Sequence, residues 1–148
     1  MKTIYLVACV AQKADKPRPA EDLYISDWFR KARSYVKCQM RPLDRWYILS
    51  AKYHLVEPSR VIPPYNETLN TMRKPDRLRW ASSVLSELLL IANTGDSIVM
   101  LAGSRYREVL EPGLRARGFT VDVPMLRLGI GAQKAWLLGH TSRQEAQL

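Results

Sequence analysis

The chain has 148 residues, with 23 lysines and arginines against 14 aspartates and glutamates, and only two cysteines and two histidines. That length can bury the core of one domain without a staple, and so few cysteines and histidines exclude a disulfide framework or a Cys/His metal cluster. The formal charge of +9 is lopsided: residues 1–80 hold 16 basic and 8 acidic side chains, and residues 81–148 hold 7 and 6. An excess of that size attracts polyanions, nucleic acid first among them, although charge by itself speaks to association rather than fold.

In chain order, residues 3–10 (TIYLVACV) form the continuous apolar run of a strand buried on both faces. Lys13 and Asp15 end the run well short of a membrane span. A cytoplasmic protein in a reducing compartment, with no membrane association, is the expectation. Residues 12–20 read as a polar loop. Ser26 then caps a helix reaching about residue 40, with Asp27 in its first turn and Phe29, Ala32 and Val36 on its core face. Arg30, Arg33, Lys37 and Arg41 recur at helical spacing on another face, a stripe that can track a phosphate backbone or simply be solvated.

Residues 45–50 (RWYILS) read as the second strand, followed by a long connection over 51–75. A second helix over 76–92 places Leu78, Ala81, Leu85, Leu88 and Ala92 on its core face, a third strand covers 96–102, and Gly103-Ser104 opens a helix with Ser104 as cap. Pro112 is expected to break that helix and Gly118 to end it. A short strand over 119–123, a loop over 124–131, a helix over 132–138 and a frayed tail over 139–148 complete the chain. Strands alternating with helices predict a single three-layer α/β domain over 1–138, Rossmann-like, with a mostly parallel sheet of about four strands. In such sheets ligands bind at the carboxyl ends of the strands, where the loops 9–26, 51–75, 103–104 and 124–131 converge.

The stretch 48–72 (ILSAKYHLVEPSRVIPPYNETLNTM) concentrates the residues that can carry chemistry. Long connections inside compact domains tend to be binding or active-site loops. Glu57 can activate water or stabilise a cation; Lys52 can contact phosphate or, desolvated, act as a nucleophile. Ser50 and His54 can donate to a leaving group, although a lone histidine is more often an ordinary loop residue. Tyr53 and Tyr65 each pair a flat ring with a hydroxyl and can stack on a base or cover the core. Cys9 ends the first strand, where a nucleophile can sit, but a packing role is favoured. Gly103-Ser104 is a weak phosphate-site signal, and Gly129-Ile-Gly131 lacks the spacing of a phosphate loop.

The segments LVACV followed by lysine, AEDLYISDWFRKAR, WYILSAKYHLVEPSRVIPPYNETL, LAGSRYREVL and VPMLRLGIGAQKAWL resemble, over about residues 4–138, a family of small bacterial and phage proteins carrying a domain of unknown function. The middle of the chain also resembles the LSxxYxLxxPxxxxxPYxxxL pattern of the peroxide-stress DNA-binding protein family and, more distantly, a domain of archaeosine synthases. The resemblance implies an α/β domain that handles nucleic acid, with relatives linked to DNA binding or base-modification and glycosylase chemistry. Its matching positions are Cys9, Lys13, Leu23, Tyr24, Ser26, Ser50, Tyr53, Pro58, Pro64, Tyr65, Leu69, Gly103 and Tyr106. Two positions depart from the pattern: Asn66 stands where an acid is frequent, and His54 where glycine is frequent.

The expected function is therefore a DNA-acting N-glycosylase that excises an unusual or modified base without metal or cofactor. Asn66 or Glu57 would position the attacking water, Ser50, Lys52 or His54 would assist the departing base, and Tyr53, Tyr65, Tyr24, Cys9 and Gly103 would hold the base. Lys13, Arg30, Arg33, Lys37 and Arg41 would hold the backbone. The alternatives are a non-catalytic DNA-binding module and a nucleoside deoxyribosyltransferase-like enzyme.

Overall fold

The computed structural model describes residues 1–8 and 12–146, with side chains as far as Thr141. Five strands form one sheet in the order β4-β3-β1-β6-β7. These are β1 (Thr3–Ala8), β3 (Arg45–Ser50), β4 (His54–Val56), β6 (Ser97–Leu101) and β7 (Thr120–Asp122). β1 pairs in parallel with both β3 and β6, β7 pairs in parallel with β6, and only β4 is antiparallel. The apolar run TIYLVA is thus a central strand, buried from Ile4 onward because sheet neighbours and helices cover it on every side.

The helices divide between the faces. On one, α2 (Asp27–Gln39) and α5 (Ile130–Ala146) pack against each other, and Phe29, Ala32, Val36 and Leu137 meet Tyr5, Val7 and Ile48 of the sheet. On the other, α3 (Lys74–Leu89) and α4 (Ser104–Ala116) bring Trp80, Val84, Leu88, Leu110 and Leu114 onto Ile4, Leu6, Leu49 and Ile98. Each fully buried aliphatic side chain contributes about 1.5–3 kcal/mol. This is the three-layer α/β arrangement that the alternation of strands and helices implies. Strand order reverses between β1 and β6, so a crevice opens at their carboxyl ends.

Two buried carboxylates tie the opposite, amino-terminal edge together. Asp44, ahead of β3, accepts from the Thr3 N–H at 2.9 Å and from the Arg41 N–H at 2.9 Å. Asp96, ahead of β6, accepts from the N–H groups of Lys2 at 3.2 Å and Asn93 at 2.9 Å, and pairs with the Lys2 ammonium at 2.9 Å. Burial opposes the charge at both sites, yet these N–H groups and cations hold both carboxyls below the usual aspartate range.

Several expectations are corrected. The sheet has five strands rather than four, because residues 54–56 turn back onto β3. The polar loop after β1 contains β2 (Arg18–Pro19) and a short helix, α1 (Ala20–Leu23); β2 pairs with β5 (Val61–Ile62), so part of the long connection is ordered against it. Leu78 is half exposed: the buried stripe of α3 runs through Arg77, Trp80, Ala81, Val84, Leu85 and Leu88, so Ala81, Leu85 and Leu88 face the core as expected while Leu78 lies at the stripe's edge. Pro112 does not break α4. It lies on the exposed face, as does Glu108 one turn earlier, so the carbonyl left without an N–H partner stays solvated. α4 begins at Ser104 with Gly103 in the cap position and no side-chain cap. α5 begins at Ile130 and continues past Leu138 to Ala146.

Candidate functional site

Ser50 closes β3 and is fully buried. Its hydroxyl oxygen accepts from the N–H groups of Tyr53 at 2.9 Å and Lys52 at 3.3 Å, which turns the chain back into β4. Its carbonyl accepts from the Trp80 indole at 2.8 Å. The same hydroxyl reaches the Tyr24 hydroxyl, which is also hydrogen-bonded to that of Tyr65. Tyr24 is held in place by its backbone: Lys13 bridges to it, and Ala14 and Ile25 donate to Leu23 and Gln12 at 2.8 and 3.0 Å. Burial, then the neighbouring Tyr65, pushes the Tyr24 hydroxyl well above the ordinary tyrosine range; Ser50 pulls the other way and Tyr106 of α4 adds to the rise. Tyr24 therefore keeps its proton at neutral pH, and either hydroxyl of the Tyr24–Tyr65 pair can be the donor.

Around this buried pair lies a ring of cations and aromatics. The Lys13 ammonium sits 4.5 Å from the Tyr65 ring centre and 5.6 Å from that of Tyr24. Tyr53 meets Tyr65 edge-on with centroids 5.7 Å apart. Arg60 and Lys52 lie 5.3 and 5.5 Å from the Tyr53 ring centre. Tyr65 belongs to the core on the α2 side and Leu69 to that on the α3 side. Residues 66–68 therefore carry the chain across the carboxyl edge of the sheet, with Asn66 and Glu67 exposed.

The structure brings Ser50, Tyr24, Tyr65, Tyr53, Lys13 and Lys52 together and leaves Asn66 next to them. It does not bring Glu57 there. β4 runs away from the carboxyl edge at about 3.3 Å per residue, and Glu57, just beyond it, lies beside Tyr47, whose hydroxyl is raised by burial and then by that carboxylate. His54 faces α3, with its ring 3.9 Å from Glu87. Its φ of 66° lies in the left-handed region, which accounts for glycine being suited to this turn. Cys9 lies outside the described residues.

The basic stripe of α2 is largely occupied by the chain's own carboxylates. Arg33 bonds the Glu21 carbonyl at 2.7 Å and Asp22 at 3.1 Å, Lys37 pairs with Glu21 at 2.6 Å, and Arg41 pairs with Asp44 at 3.2 Å, at the amino-terminal edge of the sheet. Arg30 is exposed. Since α2 spans 13 residues, at about 1.5 Å each the stripe leads some 20 Å away from the carboxyl edge.

Gly103 lines a separate cleft of about 400 Å³ at the carboxyl ends of β6 and β7, together with Ser104, Arg107, Arg127, Gly129 and Gln133. Reading the sequence missed Arg60, Arg107 and Arg127; the last two were visible only as isolated charges in segments flanking the third and fourth strands. Among the described residues no group of three or more His, Cys, Asp or Glu side chains is assembled for a metal ion, and no helix is long and apolar enough to cross a membrane.

The fold and site define a doubly wound α/β protein with a buried hydroxyl cluster and a cationic rim at the carboxyl edge of its sheet. The chain belongs to a family of unknown function, DUF6884, whose model matches residues 4–139. No curated protein and no solved structure matches it.

Proposed function

We propose that this protein is a DNA-acting N-glycosylase that hydrolyses the glycosidic bond of an unusual or modified base. The observation that carries the reading is the Ser50–Tyr24–Tyr65 hydroxyl cluster beneath Lys13, at the carboxyl edge of the sheet and adjacent to Asn66. Base excision proceeds through an oxocarbenium-like transition state, which requires a donor to the departing base and a positioned water at the sugar. Tyr65, hydrogen-bonded to Tyr24, supplies the donor, and the Asn66 amide orients the water. The net charge of +9 draws the polyanionic strand to the protein.

The test is incubation of the protein with DNA carrying a panel of normal and modified bases, with mass spectrometry for free base and abasic sites. Release from one modified base, reduced by both Tyr65→Phe and Asn66→Ala, is the expected result. Free nucleosides in the same panel separate this reading from a deoxyribosyltransferase-like enzyme.

A second reading, a non-catalytic DNA-binding module, is favoured by the position of Glu57 beside Tyr47, which leaves an amide rather than a carboxylate next to the tyrosines. It predicts salt-sensitive retention of DNA with no base released.

A further inference from the structure

The cleft at the ends of β6 and β7 is built differently from the tyrosine cluster. The described residues that line it carry two guanidinium groups, Arg107 and Arg127, and no carboxylate. The Arg107 Nε donates to the Ala102 carbonyl at 3.0 Å, fixing that side chain across the end of β6. Arg127 holds a φ of 71° in the turn that follows β7, a conformation that costs a non-glycine residue about 1–2 kcal/mol. Gln133, also in the lining, is held by two bonds: it accepts from the Trp28 indole at 2.8 Å and donates to the Leu128 carbonyl at 2.8 Å. Met125 and Leu128 add apolar surface.

We infer that this cleft is a phosphate subsite for a nucleotide. A guanidinium presents paired donors in the geometry of phosphate oxygens, and two of them in a lining whose described residues include no carboxylate give an unbalanced positive field. The first-turn amides of α4 open onto the same space, since Gly103 offers no side-chain cap. A volume of about 400 Å³ falls within the range of roughly 300–1,000 Å³ typical of small-ligand pockets, and the apolar side suits a base or sugar. A Cβ at Gly103 would meet nothing within 4 Å, so the approach to those amides is open. The subsite deepens the glycosylase reading, on which the choice of a nucleotide over other phosphate compounds rests.

The full chain is titrated with inorganic phosphate, dAMP, deoxyadenosine, and single-stranded oligonucleotides with and without a 5′-phosphate, while the amide resonances of Gly103, Ser104 and Gly129 are followed. Phosphate-bearing probes shift these resonances and deoxyadenosine does not. Arg107→Gln and Arg127→Gly each weaken binding roughly tenfold or more. Arg127→Gly suits the positive φ, so the fold is retained in that variant. Shifts from dAMP but from neither oligonucleotide assign the site to a free nucleotide; shifts only with the 5′-phosphorylated strand assign it to a strand end; shifts with both oligonucleotides assign it to an internal phosphodiester. No shift with any phosphate-bearing probe, or shifts that both variants leave untouched, overturns the subsite. Base release without those shifts overturns the subsite alone, whereas shifts without base release from any DNA keep the subsite and overturn the hydrolysis.

Discussion

The hydroxyl of Tyr24 is hydrogen-bonded to the hydroxyl of Tyr65, 41 residues further along the chain. One comes from the segment after β1, the other from the loop that crosses the sheet edge. Their bond joins the two longest connections at the carboxyl end, and Ser50 anchors it to β3.

The bond has an alkaline signature. Burial raises Tyr24 above the ordinary tyrosine value, and Tyr35 is pushed up to about 12, again by burial first. A raised tyrosine pKa means that the folded state binds the proton more tightly than the unfolded one. The stability this represents is fully present below the unfolded value of about 10 and is lost as pH rises through the folded values. Spectrophotometric titration should show fewer than the seven tyrosines ionising until the protein unfolds in alkali. Tyr24→Phe should cost about 1–3 kcal/mol by leaving buried hydroxyl partners unsatisfied.

Acid acts on the other edge of the sheet. Asp44 and Asp96 are depressed, so the stability they represent is present above the ordinary carboxylate pKa of about 4 and is lost as pH falls through their lower folded values. Asp96→Ala strands the N–H groups of Lys2 and Asn93 and should cost roughly 2–4 kcal/mol. Chemical denaturation at neutral pH reads the cost. An acid-unfolding curve identical in Asp44→Asn and the parent would show that Asp44 carries none of the pH dependence.

How much of this was legible beforehand depended on the range of the interactions. The Ser26 cap accepts from the Phe29 N–H at 3.1 Å, and Phe29, Ala32 and Val36 are buried, because capping and helical period are local. RWYILS became β3 with the expected bounds for the same reason. β4 was not legible: three residues show no period, and their pairing with β3 is decided by the Ser50 turn. That one reversal also removes Glu57 and His54 from the cluster. The Tyr24–Tyr65 contact leaves no trace in spacing, and only the resemblance marked both positions. The α2 stripe was correct in its period, but nothing in that period reveals that α1 brings Glu21 and Asp22 against it.

His54 offers a separable test of its turn. At φ 66° glycine is the unstrained residue, and the exposed contact with Glu87 at 3.9 Å is worth little. His54→Gly should therefore be neutral or stabilising by about 0.5–1 kcal/mol, measured by denaturant midpoint. Because the ring faces α3, base release should be unaffected; a large loss would place His54 in the chemistry after all.

Gly113 sets how closely α4 can approach α3. A Cβ built there would lie 2.6 Å from Leu85 Cδ1 and 3.6 Å from its Cδ2, and Leu85 is buried between the helices and cannot swing into solvent. Gly113→Ala gains helix propensity of up to about 1 kcal/mol but forces Leu85 off its position, a strain that typically costs about 1–3 kcal/mol; the clash should win. Leu85→Ala alone should cost roughly 2–5 kcal/mol by opening a cavity. In the double variant the new methyl enters space that Leu85 vacated, so the combined cost should fall below the sum of the two. A double-mutant cycle by urea denaturation reads this coupling directly, and strict additivity would mean that the helices separate instead of sharing the contact.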